Sequence, residues 1–150
     1  MPQSLIQSYV HIIFSTKNRR PLIDEEGENE LYRYLGGICN GLECSPVTIG
    51  GHKDHVHILA NLSKKITMMK FLEQLKSHSS NWIKTQGPQY GDFYWQGGYG
   101  AFSVSPQSIG TVKQYIESQH EHHKTTTFQD EYRRILREHH VAFDERYVWD

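Results

Sequence analysis

Two short groups of residues could do chemistry together. His55-Val56-His57 lies in a β-prone run from His55 to Leu62, and on a strand, side chains two residues apart share a face, roughly 6.5–7 Å apart along it. Two imidazoles on that face could converge on one metal ion, while Val56 and Ile58 point the other way and anchor the strand in a core. A bare His-x-His also describes a pair of surface or hydrogen-bonded histidines. Asp54 precedes the pair, either as the acceptor that fixes a ligating tautomer or as a turn residue. The second group is Tyr115 and Gln119, one helical turn apart on one face. A tyrosine on an amphipathic helix usually serves a core or an interface, so this pair gains meaning only beside the histidines. Two imidazoles, an amide oxygen and a phenol together suit nucleophilic phosphoryl transfer. An ion polarises a non-bridging phosphate oxygen while the phenolate attacks phosphorus, keeping the 5′ phosphate as an ester and leaving a 3′ hydroxyl. Such a ligand set, without thiolates, suits Mg²⁺ or Mn²⁺. A zinc site from Cys39, Cys44, His55 and His57 is the lesser alternative, because four intervening residues and a helix boundary separate the cysteines.

These residues need a scaffold. Ser8 to Ser15 alternates, with Val10, Ile12 and Phe14 on one face and Tyr9, His11 and Ile13 on the other, which predicts a first strand. Asp24 to Asn40 predicts a helix, with Leu31, Tyr34, Leu35 and Ile38 at helical spacing behind an acidic first turn. Glu43 to Ile49 and His55 to Leu62 predict a hairpin around a loop from Gly50 to Asp54. Ile66 to Thr85 predicts a second helix with Met69, Leu72, Leu75 and Trp82 inward, ended by Gly87-Pro88. Phe93 to Trp95 and Ala101 to Val104 predict a fourth strand interrupted by glycines. A third helix should start at Ser105-Pro106 or Ser108 and run unbroken to about His123, and a last one from about Phe128 to His139. The order βαββαβ plus two helices predicts an α+β, ferredoxin-like (split βαβ) fold: a four-stranded antiparallel sheet with helices on one face and further helices at the C-terminal end.

With 150 residues, one domain spanning 1–150 is expected. Apolar residues make up 37% and charged ones 22%, a balance that excludes a disordered chain. The N-terminus has no signal-peptide pattern and no stretch nears the roughly 20 apolar residues of a membrane span, so a cytoplasmic protein is expected. In a reducing cytoplasm Cys39 and Cys44 should stay as structural thiols. A formal charge of −1 argues against non-specific coating of nucleic acid. Basic residues are nonetheless grouped at Lys17, Arg19 and Arg20, at Lys64, Lys65, Lys70 and Lys76, and at Arg133 and Arg134.

Four ordered segments resemble the HUH-type single-tyrosine transposases of the smallest bacterial insertion sequences and their domesticated relatives. They are Ser15 to Leu22, Gly51-His52-Lys53-Asp54-His55-Val56-His57-Ile58-Leu59, Trp95 to Ser105, and Tyr115-Ile116 with Gln119 and His122-His123. The resemblance covers nearly the whole chain. It implies that His55, His57 and Gln119 are metal ligands, that Tyr115 is the nucleophile, and that the substrate is single-stranded DNA bearing hairpins. It also implies a homodimer in which the tyrosine helix of one subunit can complete the other's metal site. A local groove lined by Lys17, Arg19, Arg20 and the lysines of the second helix would then reconcile DNA binding with the near-neutral charge. His120, His122 and His123 are left outside the site, as histidines favoured at a helix C-terminus.

Rival readings are fewer in their support. A non-catalytic nucleic-acid-binding module on the same sheet would need the base-stacking aromatic motif of RNA-binding domains, which is missing, and a two-histidine phosphodiesterase would need a paired His-x-Thr or His-x-Ser motif on another strand, which is absent. A domesticated or catalytically silent hairpin-binding relative shares every motif and stays open.

Overall fold

A computed structural model describes residues 2–150. The chain runs β1 (Tyr9–Ser15), α1 (Glu25–Gly41), β2 (Pro46–His52), β3 (His55–Asn61), α2 (Met68–Ile83), β4 (Gly100–Ser103), α3 (Ile109–Glu117), α4 (Gln119–His122) and α5 (Phe128–Glu138). All strand pairs are antiparallel and the sheet order is β2-β3-β1-β4, the ferredoxin-like arrangement expected. Among the described residues no helix is long and apolar enough to cross a membrane.

The period of two in β1 and β3 splits the molecule into two layers. Val10, Ile12, Phe14, Val56, Ile58 and Ala60 pack with Leu31, Leu35 and Cys39 of α1 and with Phe71, Leu72, Leu75 and Ile83 of α2. On the other face Ile13 and Phe102 pack with Phe128, Tyr132, Ile135 and Leu136 of α5. Helix starts are set by capping side chains. Asp24 accepts from Gly27 N at 2.8 Å, Thr67 from Lys70 N at 3.1 Å, and Thr127 from Asp130 N at 3.2 Å, each satisfying a donor that the first turn leaves free.

Several boundaries differ from the expected ones. The hairpin loop shrinks to Lys53-Asp54, because Gly50, Gly51 and His52 belong to β2. Glycine is required there by close approach: a Cβ on Gly50 would lie 2.6 Å from the Ile116 carbonyl oxygen, and one on Gly51 would lie 2.3 Å from that of His55. Helix α3 thus seats directly on the strand. On α2, Met69 is 73% exposed and Phe71 takes the inward place. The Trp95 ring packs on Phe14 of β1, but its backbone pairs with the chain through an isolated bridge to Thr16, outside the ladder, and β4 is confined to Gly100–Ser103. The third helix breaks at Ser118, whose φ of −100 and ψ of 15 leave the helical range. Its Oγ donates back to the Gln114 carbonyl at 2.8 Å, a side-chain bond that competes with helix propagation.

Candidate active site

β3 orients the histidine pair. With Val56 and Ile58 in the α1/α2 core, His55 and His57 emerge on the opposite face, both fully buried, with ring centroids 5.1 Å apart. His55 Nδ1 donates to Asp54 Oδ1 at 2.7 Å. An ionised carboxylate only accepts, so the proton sits on Nδ1 and Nε2 is the inward donor atom. Asp54 therefore does the orienting work as well as closing the turn. His57 is held from behind by His11, ring nitrogen to ring nitrogen at 2.7 Å.

Gln119 and Tyr115 reach the same point from the other layer. Gln119 is 1% exposed. Its amide nitrogen donates to Glu131 Oε2 at 2.9 Å, which turns its carbonyl oxygen towards His55 Nε2 at 2.8 Å. Tyr115 donates its hydroxyl to Glu131 Oε2 and accepts from Arg134 Nη2 at 2.9 Å. All four candidates named from sequence converge, within one chain, on a residue that was not among them.

That residue is Glu131, a carboxylate with no solvent exposure. Its Oε1 lies 3.1 Å from His57 Nε2, 3.4 Å from His55 Nε2 and 3.1 Å from His123 Nε2. Burial would raise its pKa, but hydrogen bonds from His123, His55 and His57 outweigh burial and hold it far below the usual carboxylate range. A signal for it exists in the chain: Glu131 stands on the same helical stripe as Phe128, Ile135 and Tyr132, where a carboxylate breaks the apolar pattern. His11 similarly shares a face with Ile13 in β1. His123, set aside as a helix-end residue, proves to be part of the cluster.

The donor set fits a divalent cation. One ring nitrogen each of His55 and His57 and a Glu131 oxygen all lie within 4.8 Å of one another. A neutral His55 would point a lone pair at two acceptors, Gln119 Oε1 and Glu131 Oε1, so positive charge is required between them. Without an ion that charge is a proton: burial lowers the His55 pKa, but Asp54 and Glu131 together push it up to about 9. For His57 burial prevails and the pKa is lowered. Tyr115 is held protonated, its pKa pushed up by burial and then by the Glu131 charge, with Arg134 working in the opposite direction.

Other expectations are corrected by position. Cys39 and Cys44 lie in the α1/α2 core, on the far side of the sheet from the histidines, so the mixed cysteine–histidine zinc site does not form. Lys76 does not line a groove: its Nζ donates to the carbonyls of Gln96, Gly97 and Gly98 at 2.9, 3.1 and 2.6 Å, bracing the glycine-rich segment before β4. Arg133 is bound to Glu145 and stacks on Trp149, whereas Arg134 faces Tyr115.

Residues 4–119 match the family model described as IS200-like transposase. The chain is similar to the ISDra2 transposase TnpA of Deinococcus radiodurans, with 30% identity over 118 residues, covering 74% of this chain and 83% of that relative. It superposes on a solved structure from Deinococcus radiodurans R1 assigned as a transposase, with a TM-score of 0.62 and 24% identity over 79% of this chain and 98% of that one. It also superposes on a REP-associated tyrosine transposase bound to a REP hairpin, with a TM-score of 0.59 and 10% identity over 82% and 73% of the respective chains. At those identities the two solved structures bear on fold alone. The matched span ends at Gln119, before His122, His123 and Glu131.

Proposed function

This chain belongs to the IS200-like transposase family, and from that premise we propose that it cuts and rejoins single-stranded DNA through a covalent bond to Tyr115. What supports the reading is the convergence of Tyr115, His55, His57 and Gln119 on the buried Glu131. In the proposed reaction the Tyr115 hydroxyl proton passes along its hydrogen bond to Glu131 as its oxygen attacks phosphorus, the carboxylate relaying that proton rather than keeping it. The bond from phosphorus to the 3′ oxygen breaks, that oxygen leaves as a hydroxyl by taking the proton that Tyr115 gave up to Glu131, and the 5′ phosphate stays on the tyrosine. Rejoining reverses these steps when a 3′ hydroxyl attacks the ester. Arg134, donating to the phenol oxygen, steadies the negative charge that forms there. A Mg²⁺ or Mn²⁺ ion held by His55, His57 and Gln119 would supply the charge that polarises a non-bridging phosphate oxygen. Asp54 and His11 keep the imidazoles oriented for it.

The substrate proposed is a strand with a hairpin near the cut, in line with the REP hairpin held by the structural neighbour. A homodimer in the cytoplasm is proposed with it. The test is to incubate the protein and Mg²⁺ with labelled single strands from DNA flanking its own gene, beside Tyr115→Phe. A protein-linked band on a denaturing gel, lost in the variant, is expected. Hairpin binding with no band from any strand would favour a silent relative. Light scattering at micromolar concentration tests the dimer, and a clean monomer would remove any sharing of the site between subunits.

A further inference from the structure

We infer that His122, His123 and Glu131 form a second divalent-cation site beside the His55–His57 centre. One ring nitrogen of each histidine and a Glu131 oxygen lie within 4.8 Å of one another. Two independent details mark these nitrogens as ligands in waiting. His123 Nδ1 lies 2.6 Å from the Thr126 carbonyl, which can only accept, so the proton is pinned on Nδ1. A neutral ring would then direct its Nε2 lone pair at Glu131 Oε1, 3.1 Å away, so positive charge, a proton or a bound cation, is required between the two. His122 Nε2 is shielded from solvent and has no hydrogen-bond partner, with Glu131 Oε2 at 3.7 Å. A buried ring nitrogen left uncommitted is disfavoured unless something binds it.

The site can be reached from solvent. A cavity of about 360 Å³, lined by His52, Asp54, His123 and Thr125 among others, opens beside His123. Two imidazoles and one carboxylate, without thiolate, suit Zn²⁺ or Mn²⁺ better than Mg²⁺. Glu131 Oε2 also accepts the Tyr115 hydroxyl, and the His122 and Tyr115 rings meet edge to face at 5.5 Å. A cation here would therefore bear on the group proposed as the nucleophile. The histidines and the carboxylate all lie beyond the span matched to the family model.

Metal stoichiometry tests this whether or not the chain cuts DNA. The full chain is stripped with chelator, dialysed against Zn²⁺ and separately Mn²⁺, and its metal content measured. Two equivalents per chain are expected for the unmodified protein and one for His122→Ala, the remaining ion binding within about threefold of its original affinity. One equivalent in the unmodified protein would overturn the proposal, as would two in His122→Ala. Circular dichroism monitors folding. Should the alanine variant unfold, His122→Gln replaces it with the same two readings.

Discussion

The two faces of one sheet do opposite work. Towards α1 and α2 the strands send Val10, Ile12, Phe14, Val56 and Ile58 into an apolar core. Towards α3, α4 and α5 the same strands send His11, His55 and His57 into an equally buried space shared with Gln119 and Glu131. The first face is stabilised by removing hydrocarbon from water, at about 1.5–3 kcal/mol per large side chain. The second buries groups that lose hydration, and it is tolerable only because each is hydrogen-bonded or ionic. An apolar frame of Ile13, Phe102, Phe128, Tyr132 and Ile135 packs beside the polar cluster and shields it on that side. One layer thus carries the fold while the other holds a charge arrangement that folding alone would not select.

The sharpest way to break this division is Tyr115→Phe. It should reduce adduct formation by at least about a thousandfold while leaving the urea midpoint within error. A large loss of stability would mean that the hydroxyl holds the fold together. Phe71→Ala probes the opposite layer. It should cost about 3–5 kcal/mol of stability by denaturant titration and leave Mn²⁺ affinity of the folded fraction unchanged. A parallel loss of affinity would couple the layers. Asp54→Asn should weaken Mn²⁺ binding by about 10–100-fold in calorimetry, because the His55 tautomer is no longer held, with little change in stability. Equal affinity would return Asp54 to the role of a turn residue. An effect of similar size is expected of Gly50→Ala, where the new methyl meets the Ile116 carbonyl. A loss of about 1–3 kcal/mol together with slower cleavage would tie the seating of α3 to Tyr115 placement, and a neutral result would show that α3 can shift without consequence.

Much of the scaffold could be read from local patterns. Alternation in β1 and β3 and the stripe of α1 depend on nearest-neighbour periodicities, and those elements fall where expected. The misplacements share a cause. Met69 and Phe71 are both apolar and near the start of α2, and only the position of the sheet decides which one turns inward. Gly50 and Gly51 suggest a loop to any local reading, but they are strand residues because a helix from far along the chain lies against them. Glu131 escapes a local reading because a carboxylate in a helix is ordinarily solvated. Its burial follows from α5 covering the histidine face.

By itself, then, the sequence determined which residue types were available and which faces of single elements they share. His55 and His57 had to lie side by side on a strand because its side-chain period is two. Tertiary structure alone decided that Tyr115, Gln119, His123 and Glu131 meet those histidines. Their helices pack on the sheet through contacts such as that of His57 with Glu131, 74 residues apart in the chain, and local periodicity carries no record of distance across the fold.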